Sequence, residues 1–130
     1  MIKNNTITGT NLVLRAVEES DCTKEYLSWL QDPIINQYLE TRWEKQDLSK
    51  IKSFVQKMKK SENNFLFAII EQSSRKHIGN IKLGPVNYYH KYSDISYFVG
   101  DKAAWGNGYA TEAVDLVTKY GFNRLDLECI

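Results

Sequence analysis

Apolar residues along this chain change their spacing several times, and each change marks an element. Residues 12–17, Leu-Val-Leu-Arg-Ala-Val, alternate well enough for a strand. Ser20 or Asp21 can cap a short helix that carries Cys22, Tyr26, Leu27 and Leu30 on one side. Asp32-Pro33 ends it, because the residue before a proline avoids the helical region. Residues 34–44 show no period but are aromatic, with Tyr38 and Trp43. Over 46–60 the apolar positions Leu48, Ile51, Phe54, Val55 and Met58 follow the helical period, and Asn63-Asn64 breaks the run. Residues 65–70, Phe-Leu-Phe-Ala-Ile-Ile, read as a buried strand. A turn at Ser73-Ser74-Arg75-Lys76 leads to a strand over 77–86 that contains Gly79 and Gly84. A loop over 87–91, a strand over 93–100 and an amphipathic helix over 109–122 follow. Residues 125–130 look like the start of another strand.

The order is therefore β-α-α-β-β-β-α. Three consecutive strands joined by short turns are most simply an antiparallel meander. The predicted fold is mixed α/β, with a mainly antiparallel central sheet flanked by helices, and not a doubly wound parallel sheet. At 130 residues, 42% hydrophobic and 25% charged, the chain fits one globular domain over 1–130 with an adequate core. A net charge of +1 gives no reason to expect nucleic acid or another polyanion as partner. Lys57, Lys59 and Lys60 close a predicted helix, where they favour its C-terminal dipole and read as a solvated end. The N-terminus is polar and no 18-residue apolar run exists, so neither a leader nor a membrane partner is expected. Cys22 and Cys129 form no framework, which suits a reduced cytoplasmic protein. His77, a strand-start residue, and His90, a loop residue, are too isolated for a metal site, so no metal is expected.

The candidate chemistry lies in Trp105-Gly106-Asn107-Gly108-Tyr109-Ala110-Thr111-Glu112-Ala113. Two glycines just before a helix let several backbone N–H groups point into one small space. That space sits at the positive end of the helix dipole and suits a diphosphate. A side chain at either glycine would block the approach or forbid the backbone angles. Three readings compete: a turn that only reverses the chain, a dinucleotide fingerprint, and a coenzyme A pyrophosphate loop. Gly106 and Gly108 match the first two glycines of the fingerprint, and Asp126 falls near its ribose-binding position. Thr111 stands where its third glycine or alanine belongs, and residues 101–105 separate the strand from the turn.

For the third reading, the chain resembles the GNAT superfamily of acetyltransferases, closest to the ribosomal-protein N-terminal acetyltransferase branch. Thr10-Asn11-Leu12-Val13-Leu14-Arg15 with Glu18-Glu19-Ser20-Asp21 is similar to that branch's first strand and helix cap. Ile78-Gly79-Asn80-Ile81 resembles its third strand, and Asp94-Ile95-Ser96-Tyr97-Phe98-Val99-Gly100 its fourth. The stretch from Trp105 to Ala113 resembles its signature. One departure is Ala103, where the broad superfamily has Gln or Arg three residues before the first glycine. The other is length: members continue past a fifth strand, so the resemblance implies a C-terminally incomplete domain, as a fragment, a truncated product or a chain whose missing strands a second chain supplies, the first two being favoured. An unpaired fourth strand would then invite aggregation or strand exchange.

The resemblance implies direct acetyl transfer from acetyl-CoA, the co-substrate, to a primary amine without an acyl-enzyme. This agrees with the lack of a persuasive nucleophile: Cys22 reads as a small core residue, and Cys129 has no base beside it. Such a protein must hold both reactants, deprotonate the amine and stabilise a tetrahedral oxyanion. By resemblance, backbone groups of Tyr97, Phe98 and Val99 bond the pantetheine arm as an extra strand. Trp105, Gly106, Asn107, Gly108, Tyr109 and Ala110 cradle the pyrophosphate, with Lys102 either adding charge or simply solvated. Asp94 stands where relatives often carry a base that works through water; the alternative is a strand-end residue. The family's usual acid lies beyond Ile130. Glu112 reads as a structural residue serving the helix dipole.

The acceptor wall, by the same resemblance, falls on Trp29, Tyr38, Arg42 and Trp43, with Trp29 and Tyr38 equally readable as core. The acceptor is expected to be a protein N-terminal α-amine, or else a nucleotide-linked amino sugar or another small amine. A homodimer is compatible with this reading. A non-catalytic acyl-CoA-binding module is the reading from a different class.

Overall fold

A computed structural model describes residues 6–36 and 46–130. Its strands form one five-stranded antiparallel sheet, β1 (Ile7–Thr8), β2 (Leu12–Ala16), β3 (Phe65–Glu71), β4 (Lys76–Leu83) and β5 (Ile95–Val99), lying in chain order. Helices α1 (Lys24–Gln31), α2 (Pro33–Asn36), α3 (Leu48–Lys60) and α4 (Tyr109–Arg124) complete the described elements, with short 3-10 turns at Glu19–Asp21 and Lys102–Ala104. The expected meander is present as β3-β4-β5.

Strand alternation decides which layer lies on which face. Phe65, Phe67 and Ile69 of β3 join Leu12, Leu14 and Ile81 in a core that includes Ala113, Val117 and Tyr120 of α4. Ala68 faces the other way, into a core built with Tyr26, Trp29, Ile51 and Val55 of α1 and α3. Phe65 and Phe67 meet the Tyr120 ring edge-on, with centroids 5.9 and 5.5 Å away. The same alternation divides β5: Ile95 and Val99 pack towards α4, and Phe98 towards α1.

Several features differ from the sequence expectation beyond shifts of one or two residues at element ends. The short hairpin strand β1 was not anticipated; two residues carry too little pattern. Thr23, not Ser20 or Asp21, caps α1, with Oγ1 accepting the Tyr26 N–H at 3.2 Å. The Asp21 carboxylate is occupied elsewhere. It accepts both terminal nitrogens of Arg15 at 2.7 and 2.8 Å, and the Glu18 N–H at 2.8 Å. The strand expected over 77–86 stops at Leu83, because Gly84 has φ +146° and Pro85 offers no N–H. Residues 125–130 make one parallel bridge, Tyr92 with Cys129, in place of a strand. Asp126, with φ +55°, folds the segment back so that Leu127 is buried and its N–H meets the Gly121 carbonyl at 3.1 Å.

Burial alone would raise the Asp21 carboxyl. The Arg15 hydrogen bond, the Glu18 N–H and the charges of Arg15 and His77 outweigh it and hold the carboxyl below its ordinary value of 3.8. A depressed folded value means that this stabilisation is complete above the unfolded value and disappears as pH falls through the folded one. The Asp21→Asn variant is expected to lose about 1–3 kcal/mol at neutral pH. Denaturant melts should show the gap from the parent closing below about pH 4; a gap constant from pH 7 to pH 2 would contradict it.

Candidate functional site

Among the described residues β5 is the last strand of the sheet, and one of its edges has no strand partner there. Gly84 N–H donates to the Asp94 carbonyl at 3.0 Å and Gly100 N–H to the Ile78 carbonyl at 2.7 Å. Alternation between these two bonds directs the backbone groups of Ser96 and Phe98 inward to β4. Those of Ile95, Tyr97 and Val99 therefore face outward. One outward group already has a partner: the Val99 carbonyl accepts the Trp105 indole N–H at 2.7 Å.

The chain then turns sharply towards α4. Asp101 caps the 3-10 turn through the Ala103 N–H at 3.0 Å, and the Asn107 side chain donates to the Ala104 carbonyl at 2.8 Å. Gly106 (φ +87°) and Gly108 (φ +73°) take left-handed conformations, which favour residues without a Cβ. Gly108 occupies the N-cap position of α4 and supplies no side-chain cap. The first-turn N–H groups are thus directed past it, with the positive helix dipole behind them.

Side chains hold this turn from both sides. Glu112 Oε2 accepts the N–H groups of Asn11 and Leu12, both at 2.9 Å, and Oε1 accepts Asn11 Nδ2 at 3.0 Å. The residue is structural, as expected, but it serves the β1–β2 turn rather than its own helix. Lys102 Nζ meets Asp32 Oδ2 at 2.7 Å, which ties the turn to the α1–α2 junction and keeps the Asp32 carboxyl low. The nearby Glu71 carboxylate pushes the Tyr109 phenol up, and Ser74 and Tyr109 together pull Glu71 down.

Between the β5 edge and the α4 N-terminus lies a cleft of about 720 Å³, within the size range of small-molecule sites. Tyr97, Phe98, Val99, Trp105, Gly106, Gly108, Tyr109 and Ala110 all line it. Asn107, the ninth residue expected here, instead turns its amide back onto Ala104. Phe98 contributes its side of the wall while its backbone belongs to the ladder with Asn80. Ile34, Ile35 and Ser96 extend the lining towards α2. Asp94 is exposed and adjoins the lining residue Ile95 without joining it.

Of the expected acceptor residues, Tyr38, Arg42 and Trp43 lie outside the described residues. Trp29 does not line the cleft. It is 6% exposed, packs on Phe98 and His77, and lies so close to Gly100 that a Cβ there would collide with the indole. His77 Nε2 and Asn80 Oδ1 are 2.7 Å apart beneath this ring, and burial pushes the adjacent Tyr26 phenol far above its usual range. Cys22 is buried, as a core residue should be, and Cys129 is exposed; both are free. Among the described residues no group of three His, Cys, Asp or Glu side chains is arranged to hold a metal ion. No described helix is long and apolar enough to cross a membrane.

A family model described as an acetyltransferase (GNAT) domain matches residues 11–130. Among solved structures, an acetyltransferase (GNAT family) from Bacillus anthracis superposes with a TM-score of 0.78 at 21% identity, covering 95% of this chain and 69% of that one. Spermidine N-acetyltransferase from Vibrio cholerae, in complex with CoA and spermine, gives 0.79 at 20%, covering 92% and 68%. A Vibrio cholerae protein provisionally named a ribosomal-protein-serine acetyltransferase gives 0.74 at 17%, covering 98% and 72%. No curated protein matches the chain.

A Cβ built at Gly106 or Gly108 meets nothing within 4 Å. Substitution there is therefore strained by conformation, not by crowding. Gly108→Ala is expected to cost about 1–2 kcal/mol, measured by denaturant melts, and Gly108→Val more, since branching at Cβ disfavours positive φ further. Equal stability of Gly108→Val and the parent would show that the left-handed turn is not needed.

Proposed function

The chain belongs to the GNAT acetyltransferase family, and from that membership we propose that it moves an acetyl group from acetyl-CoA to a protein N-terminal α-amine, in the manner of the ribosomal-protein branch. The observation that carries the acyl-donor part is the cleft itself. A strand edge with outward backbone groups and an uncapped helix N-terminus open onto the same space. The edge suits an extended arm with amide groups, and the helix start suits a diphosphate.

In this reading the N–H groups around Gly108, Tyr109 and Ala110 hold the diphosphate, with Trp105, Gly106 and Asn107 shaping the turn. Tyr97 and Val99 bond the arm, and one of their outward N–H groups faces the thioester oxygen, where it stabilises the oxyanion. The amine enters from the side of Ile34, Ser96 and Phe98. Its lone pair attacks the carbonyl carbon, the C–N bond forms, and the C–S bond breaks to release the thiolate. An α-amine, with a pKa about 8, needs less help to lose its proton than a lysine at about 10.4. Asp94, exposed at the head of β5, is the proposed base, acting through water. The two free cysteines support a reduced, cytoplasmic setting.

Calorimetric titration tests the donor. Acetyl-CoA is expected to bind at micromolar concentration and NAD not at all, and Gly108→Val is expected to abolish binding. A thiol-release assay then compares an N-terminal peptide, a nucleotide-linked amino sugar and spermidine. The peptide should turn over fastest; preference for either small amine would overturn the acceptor assignment. Binding without turnover of any amine would favour a non-catalytic acyl-CoA module.

Asp94→Asn is expected to lower kcat at least about tenfold, with the loss shrinking as pH rises and more of the acceptor amine is already unprotonated. An unchanged rate and profile would remove Asp94 from the mechanism.

A further inference from the structure

The outward edge of β5 offers three carbonyls, those of Ile95, Tyr97 and Val99, and the one nearest the glycine turn is already used. Trp105 Nε1 donates to the Val99 carbonyl at 2.7 Å, across the corner between the strand and the turn. Trp105 is 47% exposed, so burial is not what fixes it there. Trp105 is bracketed by two constraints. Its own N–H closes the 3-10 turn on the Lys102 carbonyl at 3.1 Å, and Gly106 follows with φ +87°. The indole is thus delivered to the strand edge by the same turn that forms the diphosphate-binding corner.

We propose that Trp105 is a positioning residue that sets the register in which the amide-bearing arm of the acyl donor pairs with β5. This rests on the acetyl-CoA reading above. A diphosphate held at the α4 N-terminus fixes one end of the arm. The first amide N–H of the arm then meets the nearest free carbonyl of the edge. With Val99 occupied by the indole, that carbonyl is Tyr97. Outward carbonyls recur every second residue, so one choice of partner moves the arm by about 6.8 Å. Such a slip would carry the thioester off the point where an outward amide and the incoming amine converge. The Val99 N–H stays free beside the Tyr97 carbonyl, which leaves one donor and one acceptor in adjacent positions.

Trp105→Phe keeps the ring and removes the N–H. At saturating acceptor it is expected to lower kcat about tenfold or more, the scale of loss caused by a misplaced reacting group. The dissociation constant of adenosine 3′-phosphate 5′-diphosphate, which keeps the diphosphate and has no arm, should stay within about twofold of the parent's. A raised KM for acetyl-CoA with kcat unchanged would show that the indole merely anchors the turn, and would overturn the proposal. So would unchanged kcat and KM. A second measurement needs no variant. The Trp105 indole N–H, assigned by NMR through its contact with Val99, should exchange with solvent more slowly than a free indole; fast exchange would remove the hydrogen bond and the proposal with it. Failure of the parent to bind CoA at all would instead defeat the acetyl-CoA reading, and is seen separately in the parent's own titration.

Discussion

Helix α4 starts without a side-chain cap, and a carboxylate one turn further along holds that start against the sheet. Glu112 reaches the backbone of Asn11 and Leu12, at the head of the strand whose Leu12 and Leu14 are fully buried. A local cap would have consumed one of the first-turn N–H groups at the mouth of the cleft. A tie to a different element fixes the helix without using any of them. Gly9 lies under the same carboxylate: a Cβ there would stand 2.6 Å from Glu112 Oε2. The approach of the hairpin to the helix therefore depends on a residue with no side chain.

The two faces of the sheet take separate roles around this tie. The face towards α4 carries the glycine turn and the outward atoms of Tyr97 and Val99. The face towards α1 and α3 carries a tight aromatic group of Tyr26, Trp29, His77 and Phe98. Phe98 belongs to both settings, since its ring packs in that group and also lines the cleft. The end of β5 is thereby seated on Trp29, which helps to explain why an indole readable either as core or as acceptor wall became part of the foundation.

Local pattern made most of the elements legible. The alternation of residues 12–17, the apolar run of 65–70, the helical period of 46–60 and the paired glycines at 106 and 108 all depend on neighbours in the chain. The missed features depend on partners far apart in sequence. Glu112 bonds to Asn11 and Leu12 across 101 and 100 positions. Lys102 reaches Asp32, and neither residue signals the other. Asp21, expected to cap α1, instead pairs with Arg15, six residues upstream, and closes the 3-10 turn over Glu19–Asp21, which leaves the α1 cap to Thr23. Trp29 was readable as core or as cleft, and only the packing of Gly100 against it separates the two. The assignment of Asp94 had the least to rest on, since a base working through water leaves no mark in spacing.

The ion pair between Lys102 and Asp32 couples the two walls of the cleft. Asp32 bridges α1 and α2, where Ile34 and Ile35 form one wall; Lys102 opens the turn that forms the other. Lys102 is 45% exposed at its side chain, so the pair lies within reach of dissolved ions. Counter-ions weaken such a contact as their concentration rises. Rising ionic strength therefore loosens the tie between the α1–α2 junction and the glycine turn, even though neither element carries that sensitivity in its own packing.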